Sequence, residues 1–345
     1  MSEEISDRNR RILEAIIEDY IDSAEPVGSR SVTRRHHLGL SPATVRNVMA
    51  DLEDMGYLCS PHTSAGRVPT DKGFRFYVDS LLQVRELSKD ERFRVEQQYS
   101  LKGARLEGVL REAGKALSSM SHYTGLVMAP RVASTHLRQI DFVRLSSRRI
   151  LAILVSDSGQ VQNRLIETEE HFTRAELDEI GNYLNRRLAG LSLAQVRSHL
   201  LEEMTREKSL YDRLLKRAMQ LADESFSSPE EGELFIEGAS QMLEQPEFSD
   251  VERMRRIFRT FEQKHKIVDL LDRSQSAQGV QIFIGAETGH RALEGCSLVT
   301  STYSTPKGSL GVLGVIGPMR MPYSQIIPIV DYTARLLSRV LEFKS

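Results

Sequence analysis

The N-terminal part of the chain contains, at residues 40–79, the stretch LSPATVRNVMADLEDMGYLCSPHTSAGRVPTDKGFRFYVD. Ser41 is a good helix N-cap, and Pro42 suits the first helical position because its missing N–H would be unpaired there in any case. The apolar residues that follow recur at the helical period and form one inner face: Val45, Val48, Met49 and Leu52. The pattern therefore predicts a helix that begins at Ser41 and ends just before Gly56, a residue suited to the left-handed conformation that ends helices.

A short β-hairpin is predicted after this helix. Residues 57–59 begin an extended stretch, residues 61–66 form a turn-rich tip, and residues 67–69 return as the second strand. Pro69 lacks an N–H donor, so this strand belongs at a sheet edge. Helical periodicity resumes at Asp71.

Two further helices are predicted before residue 40. Ser6 and Asp7 suit the start of a helix whose apolar stripe consists of Ile12, Leu13, Ile16, Ile17, Tyr20 and Ile21. That helix ends near Pro26, and a short one follows over residues 29–37. Three helices and a hairpin match the winged helix-turn-helix, a fold that places one helix in the DNA major groove. We therefore expect a DNA-binding domain over residues 1–85.

The predicted recognition helix has an outer face suited to base contacts. At about 100° per residue, burial of the inner face turns outward the residues Ala43, Arg46, Asn47 and Ala50. The alanines permit close approach, while Arg46 suits guanine O6 and N7 and Asn47 suits adenine N6 and N7. Ser41 and Thr44 lie in the first turn, where free N–H groups and the positive end of the helix dipole favour a phosphate.

Positive charge is concentrated in this region. The whole chain has 46 Lys plus Arg against 48 Asp plus Glu, a net charge of −2, which excludes a strongly basic coat. Between residues 26 and 75, however, seven cations oppose four anions, and the recognition helix keeps its anions in the last turns. We expect its N-terminal end to enter the groove, with additional DNA contacts from the second helix and the wing through Arg30, Arg34, His62, Thr63, Ser64 and Arg67.

The composition indicates a soluble protein of several domains. A length of 345 residues suggests two or three domains, and the 40% hydrophobic and 27% charged fractions are ordinary globular values. The first residues, MSEEISDRNRR, lack the apolar stretch of a signal peptide, and no run approaches the roughly 18 apolar residues of a membrane helix. Cys59 and Cys296 match no disulfide or metal pattern. We expect a cytoplasmic protein without membrane contact, metal or cofactor.

The remaining chain predicts a sheet that is interrupted by helices. A connecting helix is expected over residues 86–121, and helical periodicity with many leucines over residues 173–226. Strands are expected over residues 125–129, 137–145, 150–155, 161–166, 280–284, 296–303 and 310–316, before a final helix over residues 323–343. Because isolated hairpins are marginally stable, we expect both groups of strands to share one antiparallel sheet, with the helical block as an insertion. The expected fold class is α+β, with several domains.

The chain resembles the heat-inducible transcription repressor family, HrcA. Residues 40–79 are similar to the winged-helix signature of that family, and EPVGSRSV at residues 25–32 fits it as well. GSLGVLGVIGPMRMPYSQIIPIVDYTARLL, residues 308–337, is similar to the end of the family's GAF-like domain. The resemblance covers essentially the whole chain.

The resemblance implies a particular architecture and function. A GAF-like α/β domain with an antiparallel sheet would occupy residues 86–167 and 251–345, and an inserted, mainly helical dimerisation domain would occupy residues 168–250. The resemblance further implies a homodimeric repressor that binds an inverted-repeat operator ahead of chaperone operons. Such a repressor loses activity on heat stress, and the chaperonin helps to reactivate it.

Other functions stay open at this point. A ligand-responsive repressor would hold an effector in the GAF-like domain. A GAF-type enzyme would need a convergent set of His, Asp, Glu or Cys residues within residues 123–170 and 278–320, and none is found, so we expect no enzymatic activity. The N-terminal helices are also compatible with a protein-interaction domain.

Overall fold

A computed structural model describes most of the chain. It describes residues 5–61, 66–98, 106–130, 137–156, 161–168, 170–188, 191, 221, 234–275, 279–305 and 308–342. The helices are α1 (Asp7–Ser23), α2 (Ser29–Arg35), α3 (Pro42–Asp54), α4 (Asp71–Phe76), α5 (Lys89–Gln98), α6 (Leu106–Ser121), α7 (Arg174–Leu188), α8 (Val251–Glu262), α9 (Lys264–Gln275) and α10 (Tyr323–Glu342). The strands are β1 (Leu58–Cys59), β2 (Val68–Pro69), β3 (Thr124–Met128), β4 (Leu137–Arg144), β5 (Arg149–Ser156), β6 (Val161–Glu167), β7 (Leu234–Glu237), β8 (Val280–Ile284), β9 (Cys296–Thr305) and β10 (Gly308–Pro318).

The N-terminal helices follow the predicted order. The hydroxyl of Ser6 accepts a hydrogen bond from the Asn9 amide at 3.3 Å and caps α1, as expected. Helix α2 ends at Arg35, two residues earlier than predicted. Strands β1 and β2 form a two-stranded antiparallel ribbon in which Leu58 lies opposite Pro69. The predicted helices and hairpin strands of this region are thus confirmed as elements.

A five-stranded antiparallel sheet forms the centre of the C-terminal half. Its strand order is β7-β3-β10-β9-β8. Side chains alternate between the two faces, so that Val127 contacts the apolar cluster that includes α6 and α10, whereas Leu126 and Met128 contact the cluster that includes α8 and α9. Helices therefore cover both faces of this sheet.

A second sheet stands apart from the first. Strands β4, β5 and β6 form a three-stranded antiparallel sheet, and their inner face packs on α7 in a separate apolar cluster. The prediction that these strands share one sheet with the C-terminal strands is therefore wrong. Each hairpin was recognisable from its own alternation, but alternation does not reveal which distant strand completes a sheet.

The outcome differs among the other elements after residue 85. The connecting helix expected over residues 86–121 comprises α5 and α6, and residues 99–105 between them lie outside the described part. Strand β7 was expected to be part of the helical insertion, yet it pairs with β3. Helices α8 and α9 were not predicted. Of the helical block expected over residues 173–226, the structure describes α7 and little else.

A glycine at residue 125 permits α6 to pack directly on β3. A Cβ atom there would lie 2.2 Å from the carbonyl oxygen of Gly114 in α6, a backbone atom that cannot swing aside. In α7, by contrast, a Cβ atom at Gly181 would meet the carbonyl oxygen of Ile140 at 3.6 Å, an ordinary contact distance. The two positions therefore differ in the space they leave for a methyl group.

We predict that Gly125→Ala lowers the free energy of unfolding by about 1–3 kcal/mol, because the added methyl group overpacks the contact between helix and sheet. Gly181→Ala serves as the matched control. It should be neutral or raise stability by up to about 1 kcal/mol, since alanine favours a helix interior. Urea unfolding followed by circular dichroism measures both. Equal effects of the two substitutions would contradict the packing argument.

Candidate nucleic-acid interface

Helix α3 begins at a capped first turn. The Ser41 hydroxyl oxygen accepts a hydrogen bond from the Thr44 amide at 3.1 Å and lies 2.9 Å from the Thr44 hydroxyl. Pro42 occupies the first helical position, as predicted. Both hydroxyls therefore lie at the positive end of the helix dipole, where an anion is favoured.

The two faces of α3 are separated as the sequence predicts. The inner face is buried and consists of Val45, Val48, Met49 and Leu52. The outer face is exposed and consists of Ala43, Arg46, Asn47 and Ala50. Within the described part of the chain, the side chains of Arg46 and Asn47 form no hydrogen bond or ion pair, so their donors are available to a ligand. Their contact with DNA stays a prediction.

Helix α2 is attached to α1 through a buried carboxylate. One Asp19 oxygen lies 3.1 Å from Nη1 of Arg35 and 3.1 Å from Nε2 of His36. All three arginines of α2 are exposed, but only Arg35 is paired with Asp19. Arg30 and Arg34 remain candidates for phosphate contacts. Asp19 was not among the residues predicted from the sequence. An acidic residue inside the apolar stripe of α1 was the available signal, because a buried carboxylate requires partners.

Arg67 supports the base of the ribbon. Its Nη2 atom lies 2.7 Å from Glu53 of α3, and its Nη1 atom donates to the Ser60 hydroxyl at 3.3 Å. Its backbone exchanges two 2.9 Å hydrogen bonds with Val27, which attaches the ribbon to the segment before α2. The guanidinium therefore joins the ribbon to α3, and a DNA contact by Arg67 would compete with this pair. The other predicted wing residues, His62, Thr63 and Ser64, lie outside the described residues.

The far end of α3 carries a compensating cation. Lys72 donates to the carbonyl oxygen of Met55 at 2.7 Å, and its ammonium lies 4.3 Å from the ring centroid of Tyr57. A cation at a helix C-terminus stabilises the negative end of the dipole. Asp51 and Asp54 are exposed at this same end. The electrostatic gradient along α3 therefore favours an anion at the Ser41 end.

The described residues show little that fits other chemistry. Among them, no group of three or more His, Cys, Asp or Glu side chains could hold a metal ion. Partial desolvation and the neighbouring Glu53 charge raise the pKa of the Cys59 thiol, although the residue is exposed at the surface. The raised pKa favours the unreactive protonated form. Of the helices in the described ranges, none is long and apolar enough to cross a membrane.

Two open clefts border the segment between α4 and α5. One, of about 390 Å³, is lined by residues that include Arg85, Arg94 and His122, and the other, of about 480 Å³, by residues that include Arg92 and Tyr332. Their charged linings differ from the mostly apolar surfaces typical of small-molecule sites. They give the effector alternative no specific support.

Comparisons with known proteins place these features in context. The family model of the HrcA protein C terminal domain matches residues 107–327. The heat-inducible transcription repressor HrcA of Geobacter sulfurreducens is 61% identical over 98% of this chain and 99% of its own length. The same repressor from Syntrophobacter fumaroxidans is 43% identical over 98% of each chain.

A solved structure described only as a hypothetical protein has a similar fold. It aligns with a TM-score of 0.61 and 23% identity over 99% of this chain and 100% of its own. At that identity the likeness concerns the fold alone. The sequence relatives carry the assignment, because their identity extends over nearly the full length of both chains. By that identity, the chain belongs to the HrcA family of heat-inducible transcription repressors.

Proposed function

We propose that this chain is a homodimeric repressor of chaperone operons that binds an inverted-repeat operator through a winged helix. The observation that carries the proposal is the exposed outer face of α3, where Arg46 and Asn47 lie beside a capped N-terminal turn. Arg46 would donate to guanine and Asn47 would pair with adenine, while Ser41 and Thr44 would contact phosphate. The names of the relatives supply the physiological setting, heat-inducible transcription.

We propose a domain organisation that follows the sheets. Residues 1–85 form the winged helix-turn-helix. The five-stranded sheet with α6, α8, α9 and α10 forms the GAF-like domain. The residues between β3 and β7 form the inserted dimerisation domain, which therefore begins earlier than the predicted residue 168, since β4, β5 and β6 pair only with one another among the described strands.

The outer face of the three-stranded sheet supports dimerisation through the insertion. Its inner face packs on α7, but the opposite side exposes apolar side chains: Val143 on β4, Leu145 just after β4, and Val161 and Leu165 on β6, each 44–56% exposed. Leu151 of the central strand lies between Val143 and Leu165 in register. Exposed apolar patches of this kind mark interaction sites. A second copy is the proposed partner because a two-fold operator requires a two-fold protein.

The chain topology supports a heat response that involves the chaperonin. Strand β3 pairs with β10, so that Gly125 lies opposite Val315, and the whole insertion separates the two strands in sequence. Contacts of such long sequence separation slow folding and prolong the exposure of apolar surface. We propose that heat depletes the active dimer and that the chaperonin assists its recovery.

For the recognition helix, we predict that Arg46→Ala weakens binding to an inverted-repeat operator duplex by about 1–3 kcal/mol, because a base contact is lost. Binding to unrelated DNA should change much less. Arg291→Ala removes one exposed positive charge in the C-terminal half and is the matched control. An electrophoretic mobility-shift assay at fixed salt measures the DNA affinity of the wild type and of both variants. Equal losses for both variants would contradict base recognition by Arg46.

For the dimer, we predict that Leu165→Glu raises the dissociation constant at least about a hundredfold, because an unpaired carboxylate would be buried at the interface. Leu243→Glu, at a residue that is 59% exposed in the 3₁₀-helix after β7, should leave the dimer unchanged. Sedimentation equilibrium gives both constants. A Leu165→Glu protein that remains as dimeric as the wild type would exclude this sheet face as the interface.

For the heat response, we predict that operator binding recovers further after a brief heat pulse when the chaperonin and ATP are present during cooling, because the slow-folding sheet is then protected from aggregation. Mobility shift before the pulse and after cooling provides the measurement. A sample cooled with ATP alone is the control. Equal recovery in the two samples would remove the chaperonin from the mechanism.

A further inference from the structure

The N-terminal helices and the five-stranded sheet share one apolar core. Phe74 of α4 and Tyr323 of α10 are both fully buried, and their ring centroids lie 6.4 Å apart. The same apolar cluster contains Ile16 of α1, Val48 of α3 and Val299 of β9. The candidate DNA-binding region is therefore packed against the C-terminal half and is not a separate domain on a flexible linker.

An ionic contact reinforces this packing on one side. Arg75 of α4 donates through Nε to Glu287 at 2.9 Å and through Nη2 to the Ile282 carbonyl oxygen at 2.6 Å, and Nη2 also pairs with Glu287. Burial by itself would raise the pKa of Glu287, but the hydrogen bond from Arg75 and one from the Ile284 amide lower that pKa below its ordinary value. Glu287 thus stays ionised and paired.

The turn before Glu287 is shaped to receive a second residue of α4. The Asp71 carboxylate accepts a hydrogen bond from the Ala286 amide at 2.8 Å. Gly285 has a φ of +52°, and a Cβ atom there would lie 2.1 Å from the nearer Asp71 oxygen. Only glycine therefore permits both the backbone conformation and the close approach of the carboxylate.

A separate contact holds the end of α1. Arg320, whose side chain is 13% exposed, donates through Nη1 to the Ile21 carbonyl oxygen at 3.1 Å. The same guanidinium pairs with Glu247 and donates to the Gln245 side chain at 3.2 Å. Carbonyl groups near a helix C-terminus lack partners within the helix, so this contact satisfies one of them. Polar contacts on two different helices, α4 and α1, therefore accompany the burial of the two rings.

We propose that Asp71, Arg75 and Arg320 are positioning residues that fix the angle of the recognition helix relative to the dimer and so set the half-site spacing that the repressor accepts. The inference rests on the proposed function. The outer face of α3, with Arg46 and Asn47, is exposed while these contacts are made. The contacts therefore fit a role in positioning the recognition helix better than a role in blocking DNA binding. Operator half-sites one helical turn apart require such a fixed geometry.

The test compares Glu287→Gln, Arg75→Glu and the charge swap Arg75→Glu with Glu287→Arg. Asp79→Asn is the matched control, because Asp79 also pairs with Arg75, at 3.2 Å, but lies on the same segment as Arg75. The DNA is an inverted-repeat duplex selected by the wild-type protein from a randomised pool. Two derivatives complete the set: one has its half-sites moved apart by about 5 bp, half a helical turn, and the other retains a single half-site.

We expect Glu287→Gln and Arg75→Glu to bind the intact repeat about tenfold more weakly, a typical coupling for residues in direct contact, while their affinity for the single half-site is unchanged. The preference for the native spacing over the lengthened one should fall by a similar factor. The charge swap should restore most of the affinity for the intact repeat and most of the preference for the native spacing. Asp79→Asn should behave as the wild type.

Several outcomes would overturn the proposal. Wild-type affinity and spacing preference in Glu287→Gln and Arg75→Glu would show that the contact does not position the helix, and tighter binding would show that it inhibits. An equal loss at the single half-site would indicate a damaged recognition helix instead. If the wild type selects no inverted repeat at all, the proposed function itself fails, which is a distinguishable result.

Discussion

Burial of the Phe74 and Tyr323 rings in a common core joins the two halves of the protein. A fully buried large apolar side chain contributes about 1.5–3 kcal/mol relative to its exposed form, so separating α4 from α10 would be costly. The ionic contacts of Arg75 and Arg320 add direction to this attraction, because hydrogen bonds depend on angle whereas apolar burial does not. Adhesion and orientation are thus supplied by different interactions at one interface.

The two sheets differ in how they are covered. Helices lie on both faces of the five-stranded sheet, and its strand β10 is accordingly almost free of polar residues, as in its GVLGVIG run. Among the described elements, α7 covers one face of the three-stranded sheet. Its strand β4 accordingly buries Ile140 and Phe142 and exposes Asp141 and Val143. The exposed apolar residues of this sheet are Val143 on β4 and Val161 and Leu165 on β6.

Local structure was predictable where the determinants lie close together in sequence. Helix α3 follows from a cap at Ser41, a proline after it and four apolar residues at the helical period. The exposed positions of Arg46 and Asn47 follow from the same period. The wrong predictions concern which strands pair, and the pairing strands lie far apart in sequence. The alternation within β4 does not reveal that β4 pairs with β5 and not with a strand of the β10 sheet. The short strand β7 is recognisable only through its pairing with β3.

The candidate site shows the same division. Nothing in the local pattern of the hairpin indicated that Arg67 would pair with Glu53 of α3, because that contact is created only when the ribbon folds back. Similarly, the partners of Asp19 come from a different helix. Sequence periodicity therefore located the face of the site but did not distinguish arginines that support the fold from arginines that are available to a ligand.

The exposure of the outer face of α3 has an evolutionary consequence. Ala43, Arg46, Asn47 and Ala50 contribute nothing to the packed interior, and substitutions at surface sites of this kind usually alter stability by less than about 0.5 kcal/mol. Mutations at these four positions are therefore nearly free of folding constraints. Under the proposed function, descendants of this chain could acquire new target sequences while every buried residue stays the same.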